Sequence, residues 1–214
     1  NKIIDSTNSL PLQDLYINKD DGLNQKYTFN NFIIGSFNEL AYAASQAIIK
    51  NPGIVYNPLF IYGNTGLGKT HLIQAIGNTI KNTYSDKKVF YTSLEKFYLE
   101  FISSINSQKI NHFKEKYKKY DVFIMDDIQF INGKEKTQDE LFYLFNSLHN
   151  DNKQIIFSSD KHPNFIVGLE DRLKSRFSQG MIVDVSIPDY ESRVNILLSK
   201  IKNIERVEDG VVEY

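Results

Sequence analysis

Residues Gly63-Asn64-Thr65-Gly66-Leu67-Gly68-Lys69-Thr70 fit the pattern G-x-x-x-x-G-K-[ST]. This spacing suits a loop wrapped around a phosphate chain. Glycines let the backbone turn so that successive N–H groups point inward at anionic oxygens. Lys69 places a point charge beside the outer phosphates, and the Thr70 hydroxyl can ligate Mg²⁺. The candidate nucleotide contacts therefore run from Asn64, Thr65, Gly66, Leu67 and Gly68 through Lys69 and Thr70 to His71. Alone, such a run is also compatible with a Gly-rich turn of no function. The apolar strand expected at Leu59–Tyr62 and the helix expected over Lys69–Ile80 supply the right setting, and the helix directs its N-terminal dipole at the anion.

A second motif is the run Val122-Phe123-Ile124-Met125 closing on two carboxylates, Asp126 and Asp127. Asp126 is expected to hold Mg²⁺ through a water, and Asp127 to sit near the attacking water. Without the phosphate loop the same pair could simply cap the following turn. Most ATPases with this arrangement carry Glu at the second position, and Asp is one methylene shorter. Slow turnover is the expectation, which suits a switch better than a motor. Glu95, just after the second expected strand, is another candidate for handling the water.

These residues need a scaffold, and the chain shows one. Short apolar runs at Leu59–Tyr62, Val89–Thr92, Val122–Met125, Ile155–Phe157 and Met181–Val185 alternate with helical periods. Leu94, Phe97, Tyr98, Phe101, Ile102 and Ile105 form one helical stripe; Leu141, Leu144, Phe145 and Leu148 form another. Thr92-x-x-Glu95 and Thr137-x-x-Glu140 resemble capping boxes for these two helices. Strands apolar on both faces and separated by helices imply a doubly wound α/β fold with a five-stranded parallel sheet. The expected layout is a linker-like flank at 1–25, with a possible short helical or strand turn at Leu10–Ile17. A nucleotide-binding core follows at 26–202, and 203–214 begins a further element of a larger protein.

Bulk properties narrow the class. The absence of Cys excludes disulfides, thiolate metal sites and a cysteine nucleophile. The net charge of −1 gives no global pull toward nucleic acid, so any such contact must be local. No window approaches the length of a membrane span and no signal peptide is visible, so a cytoplasmic location is expected.

Several further blocks carry a family resemblance. Tyr27-Thr28-Phe29-Asn30-Asn31-Phe32-Ile33-Ile34-Gly35, Asn57-Pro58-Leu59-Phe60-Ile61-Tyr62-Gly63 and Asp126-Asp127-Ile128-Gln129-Phe130 stand in order with three more. These are Gly133-Lys134-Glu135-Lys136-Thr137-Gln138, Ser158-Ser159-Asp160 and Glu170-Asp171-Arg172-Leu173-Lys174-Ser175-Arg176-Phe177. Together they resemble the bacterial replication initiators of the DnaA type over about Lys26 to Lys202. The resemblance implies an AAA+ fold, ATP or ADP binding, and ATP-dependent self-assembly into a filament on origin DNA. It makes Asp160 the sensor I residue and Arg176 an arginine finger for a neighbouring subunit's ATP, supported by Arg172. On spacing alone, Arg172 and Arg176 could equally pair with Glu170 or Asp171.

The resemblance also lays Phe32 to Gly35, with Ile33 and Ile34, against the adenine; a hydrophobic staple before the next helix is the alternative. It places Ile102, Lys109, Lys134 and Lys136 where the family contacts single-stranded DNA, although period alone makes Ile102 a core residue. Lysines there would neutralise phosphates without reading bases. In the run His112–Tyr120, Phe113, Tyr117 and Tyr120 form an aromatic stripe better explained by packing. The family's lid would begin near Val207 and be cut short, and its duplex-reading helix-turn-helix domain is not in this sequence. An adaptor of the same superfamily, such as a helicase loader or an initiator-inactivating homologue, is the competing reading, and a motor ATPase a third. Replication regulators or a helicase are possible partners.

Overall fold

A computed structural model of the chain describes residues 16–201. The turn expected at Leu10–Ile17 lies mostly outside these residues, and the segment 203–214 entirely so. Five strands, β1 (Leu59–Tyr62), β2 (Val89–Ser93), β3 (Val122–Asp126), β4 (Gln154–Ser159) and β5 (Met181–Asp184), form one sheet in the order β2-β3-β4-β1-β5. All four pairings are parallel.

Helices α1 (Glu39–Lys50), α2 (Lys69–Thr83), α3 (Leu94–Asn106), α4 (Ile110–Lys118), α5 (Glu135–Asn150), α6 (Asp171–Phe177) and α7 (Tyr190–Ile201) supply the connections and the covering layers. Alternate strand residues enter opposite cores, as the period of two requires. Leu59, Ile61, Val122, Ile124 and Ile156 pack with Ile48, Leu72 and Ile76 on the α1–α2 face. Phe60, Phe123, Met125 and Phe157 pack with Phe97, Phe145 and Phe177 on the other. The aromatic stripe of α4 behaves as packing: Phe113 and Tyr117 are buried among Phe97, Phe101 and Phe123.

Three local expectations need correction. Thr92 does not cap α3, because the strand runs on through Ser93, whose register partner is Asp126. Thr92 is buried in the sheet, and the Ser93 hydroxyl instead accepts the Lys96 N–H at 3.2 Å. Thr137 lies inside α5, which starts two residues earlier after the turn at Gly133, so it caps nothing. Finally, the packed region begins before Lys26. Leu23 is 1% exposed in the α2-side core, and Tyr91 N–H donates to the Asp21 carbonyl at 2.8 Å.

Candidate functional site

The register aligns the carboxyl ends of the strands. Tyr62 lies beside Ser159 and Asp184, and Ser93 beside Asp126. In open α/β sheets the crevice beyond these ends receives the ligand. The loop leaving β1 there has Gly68 at φ +86° as the residue entering α2, a left-handed backbone that glycine adopts without strain. At Gly63 a Cβ would lie 2.2 Å from the Val185 carbonyl oxygen, so a side chain would push the loop off β5.

Lys69 opens α2 and is only 8% exposed. Its ammonium donates to the Gly63 and Asn64 carbonyls at 2.6 and 2.9 Å, folding back across the loop it would share with a phosphate chain. Burial lowers the Lys69 pKa, and the charges of Asp126, Asp127 and Asp160 oppose that shift. Thr70, the next residue, donates its hydroxyl to Asp126 Oδ2 at 2.7 Å. The two motifs read separately in the sequence therefore meet.

Asp126 is buried and held from both sides. Oδ2 accepts from Thr70 and from the Tyr91 hydroxyl at 2.9 Å; Oδ1 accepts from the Ser158 hydroxyl and from the Asp127 N–H. All of these donors are neutral, an arrangement that orients the carboxyl group without neutralising its charge. Burial first, and the Asp126 charge next, push the Tyr91 phenol far above its ordinary pKa, so it remains a donor. The roles of Tyr91 and Ser158 escape a motif search. The sequence signal for Tyr91 is its place near the end of β2, and Ser158 stands in the Ser158-Ser159-Asp160 block with no role read for it; β2 and β4 flank the carboxylate strand.

Asp127 adopts a left-handed backbone, φ 61° and ψ 45°, uncommon outside glycine but tolerated by Asp. It is half-buried and accepts from Gln129 Nε2 at 2.9 Å. Burial and then the Asp126 charge raise its pKa, with Gln129 and Lys69 pulling the other way. Gln129 also accepts the Asp160 N–H at 3.2 Å, joining Asp127 to Asp160. Asp160 lines a hollow with Gly63, Asn64 and Leu67, and its Oδ1 is buried with no hydrogen-bond partner among the described residues. An orphaned acceptor beside the loop fits a site completed by a ligand's water or cation. Glu95 stands exposed in the first turn of α3 and makes no side-chain hydrogen bond or ion pair among the described residues.

On the other side of the loop a second hollow is lined by Phe32, Ile33, Phe37, Leu67, Gly68 and His71. The His71 Nε2 meets the Thr28 carbonyl oxygen at 2.8 Å, and its ring contacts Tyr27 and Phe32. An apolar slot closed by rings suits a planar base. Ile34 is not part of it: it is 45% exposed and faces a separate surface with Tyr42 and Val55.

The two arginines of α6 differ. Arg172 binds Asp139, and Glu170 at 2.6 Å, as the plain reading of its neighbours anticipates. Arg176 makes no ion pair among the described residues, and its guanidinium lies over the Phe142 ring at 5.5 Å. It lines neither hollow beside its own loop. Among the expected DNA contacts, Lys134 lies over the Tyr98 ring at 5.2 Å and donates to the Phe130 carbonyl, which brings it to the α3 face carrying Ile102. Ile102 is partly buried against the aromatic core, while Lys109 and Lys136 are exposed.

Residues 23–184 match the bacterial DnaA ATPase domain family, most of the chain and both motifs included. The chain belongs to that family. Domain III of the Thermotoga maritima DnaA replication initiation protein is 43% identical over 89% of this chain and 80% of its own, with a TM-score of 0.86. AMPPCP-bound DnaA from Aquifex aeolicus, and a DnaA initiator bound to AMPPCP and single-stranded DNA, are each 42% identical over 91% of this chain, with TM-scores of 0.84. This chain spans 60% of the length of those two. The DnaC helicase loader, at 14% identity and a TM-score of 0.66, shares the fold alone. The DnaA-type AAA+ fold, with its five-stranded parallel sheet, is therefore secure, and the adaptor reading is the more distant one.

Proposed function

We propose that this chain is the ATP-binding core of a DNA replication initiator, a nucleotide-controlled switch that self-assembles on origin DNA and promotes strand opening. The observation that carries this reading is the meeting of Lys69, Thr70 and Asp126 beyond the ends of β1 and β3. The AMPPCP-bound DnaA relatives support nucleotide binding by this chain.

ATP or ADP would lie with its phosphates on 63–70 and its base between Ile33, Phe32 and His71. Mg²⁺ would be held by Thr70 and, through water, Asp126. These hard oxygen donors fit that ion, and no group of three or more acidic or His residues forms a cage among the described residues. Mg²⁺ is usually held by one or two protein groups plus phosphate oxygens, so the small donor set is the expected one. Asp127 would orient the attacking water, with Glu95 the second candidate; the short Asp side chain makes hydrolysis slow. Asp160 would sense the phosphate, and Arg176 would reach the ATP of the next copy in a filament.

The DNA-bound relative supports single-stranded DNA as a ligand, and Ile102, Lys109, Lys134 and Lys136 would contact it. A cytoplasmic location follows from this function, and no helix among the described residues is long and apolar enough to cross a membrane. Replication regulators or a helicase are further partners of the proposal.

Titration of the chain with ATP, with and without Mg²⁺, tests it. Saturable binding that Lys69→Ala weakens supports the reading, and equal binding by both proteins refutes it.

A further inference from the structure

Tyr91 connects the site to a segment that no motif includes. Its hydroxyl donates to Asp126 Oδ2 at 2.9 Å. Gln74, on α2, accepts the Asn24 N–H on its Oε1 at 2.8 Å. One turn further along α2, Asn78 Nδ2 donates to the carbonyls of Asn24 and Tyr27 at 2.9 and 2.8 Å. The Tyr91 N–H itself donates to the Asp21 carbonyl. The arm 18–24 is therefore tied to β2 through the Tyr91 backbone and to α2 through Gln74 and Asn78, the two elements that carry the Tyr91 and Thr70 donors to Asp126 Oδ2.

We propose that Tyr91 is a positioning residue for Asp126 and that the 18–24 arm, by bridging β2 and α2, couples its own docking to the site's grip on magnesium–nucleotide. This rests on the reading of Asp126 as the magnesium-holding carboxylate. The physical basis is orientation. A buried carboxylate with donors on both oxygens is fixed in its plane, and removing Tyr91's hydroxyl leaves Thr70 as the only donor at Oδ2 among the described residues. The Thr70 and Tyr91 hydroxyls meet on one carboxylate oxygen only while α2 and β2 keep their spacing, and the arm bridges those two elements. Coupling of this kind is reciprocal: if the docked arm steadies Asp126, then metal–nucleotide binding steadies the arm.

The test uses the whole chain and the variant Tyr91→Phe, which keeps the ring and removes only the hydroxyl. A fluorescent ATP analogue is titrated over a series of Mg²⁺ concentrations, and hydrogen exchange is followed at the Asn24 amide. With one hydrogen bond to a charged group removed, the Mg²⁺ needed for half-maximal tightening should rise about tenfold, with metal-free nucleotide binding unchanged to within about twofold. Magnesium–nucleotide should slow Asn24 exchange in the parent and not in Tyr91→Phe. Gln74→Leu, which cuts the Asn24 bond that ties the arm to α2 and leaves the Tyr91–Asp126 bond, should also abolish the exchange response. An unchanged Mg²⁺ response in Tyr91→Phe beside normal parent binding overturns this inference alone. A parent chain that binds no magnesium–nucleotide overturns the reading of the site and this inference with it.

Discussion

Thr70 and Asp126 stand 56 residues apart in the chain and 2.7 Å apart in space, joined by the threonine hydroxyl. One stands in the first turn of α2 behind the glycine loop; the other closes β3. Because β1 and β3 are both inner strands, with β4 between them, the contact depends on the strand order. It turns a phosphate loop and an acidic strand end into one site.

Lys69→Ala should weaken ATP binding by about tenfold to a hundredfold while leaving the fold. The ammonium donates to loop carbonyls in the free chain. Without it the nucleotide forgoes a charge-assisted hydrogen bond worth about 1.5–3 kcal/mol, or on the order of tenfold to a hundredfold in affinity. Fluorescence titration, with circular dichroism as the folding control, checks this.

Asp127 predicts a pH dependence. Burial and Asp126 raise its pKa from 3.8, so in single-turnover hydrolysis the rate should climb with pH over a range above that of an exposed Asp. Asp127→Asn should remove that limb. The stability sign follows from the same shift: the folded state holds the proton more tightly than the unfolded chain. Stability from this group is full below the unfolded pKa and is lost as pH rises through the folded one. Asp127→Asn should therefore melt higher than the parent at neutral pH and not at strongly acidic pH, by thermal denaturation.

Most of the scaffold was legible because it rests on periodicity. All five strands and the helices after β1, β2 and β3 stand where their apolar spacing placed them. The caps were not, since Thr92 and Ser93 are both good capping residues and only the register with Met125 and Asp126 decides between them. The arm 16–25 reads as a linker because a single Leu23 anchors it, too sparse a signal for any period. In the site, the loop and acidic pair carry their own patterns. Tyr91 does not, and Ser158 and Gln129 stand in recognisable blocks without revealing their roles, because their partners Asp126 and Asp160 are distant in sequence. Ile33 and Ile34 look alike in sequence, and only the backbone direction puts one in the hollow and the other at the surface.

Arg176→Ala should leave nucleotide affinity unchanged and weaken ATP-dependent assembly, read by sedimentation. Arg172→Ala should act differently, since that guanidinium already holds Asp139 and Glu170 in its own chain. Its effect should appear in the position of α6 and in assembly together. Loss of nucleotide binding in Arg176→Ala would make that residue part of its own chain's site.

Phe157→Ala should destabilise the domain by about 3–5 kcal/mol, as expected for a buried ring removed from a packed core. Phe157 is fully buried, 4.6 Å from the Phe177 ring centroid and 6.2 Å from that of Phe60. Denaturant unfolding measures it, and a destabilisation below about 1 kcal/mol would mean that the core around it collapses to fill the space.

Lys136→Ala should reduce the salt dependence of single-stranded DNA binding. Each phosphate left unneutralised on a single strand lowers the slope of log K against log salt by about 0.7. Lys134→Ala should do so as well and should also loosen the packing against Tyr98.

If nucleotide state controls DNA binding, fluorescence anisotropy of a labelled single strand will show it without further assumptions. The strand is titrated with this chain in Mg-ATP, in Mg-ADP and with no nucleotide. Binding should be strong with ATP and weak in the other two. Equal binding in all three would contradict a nucleotide-controlled switch.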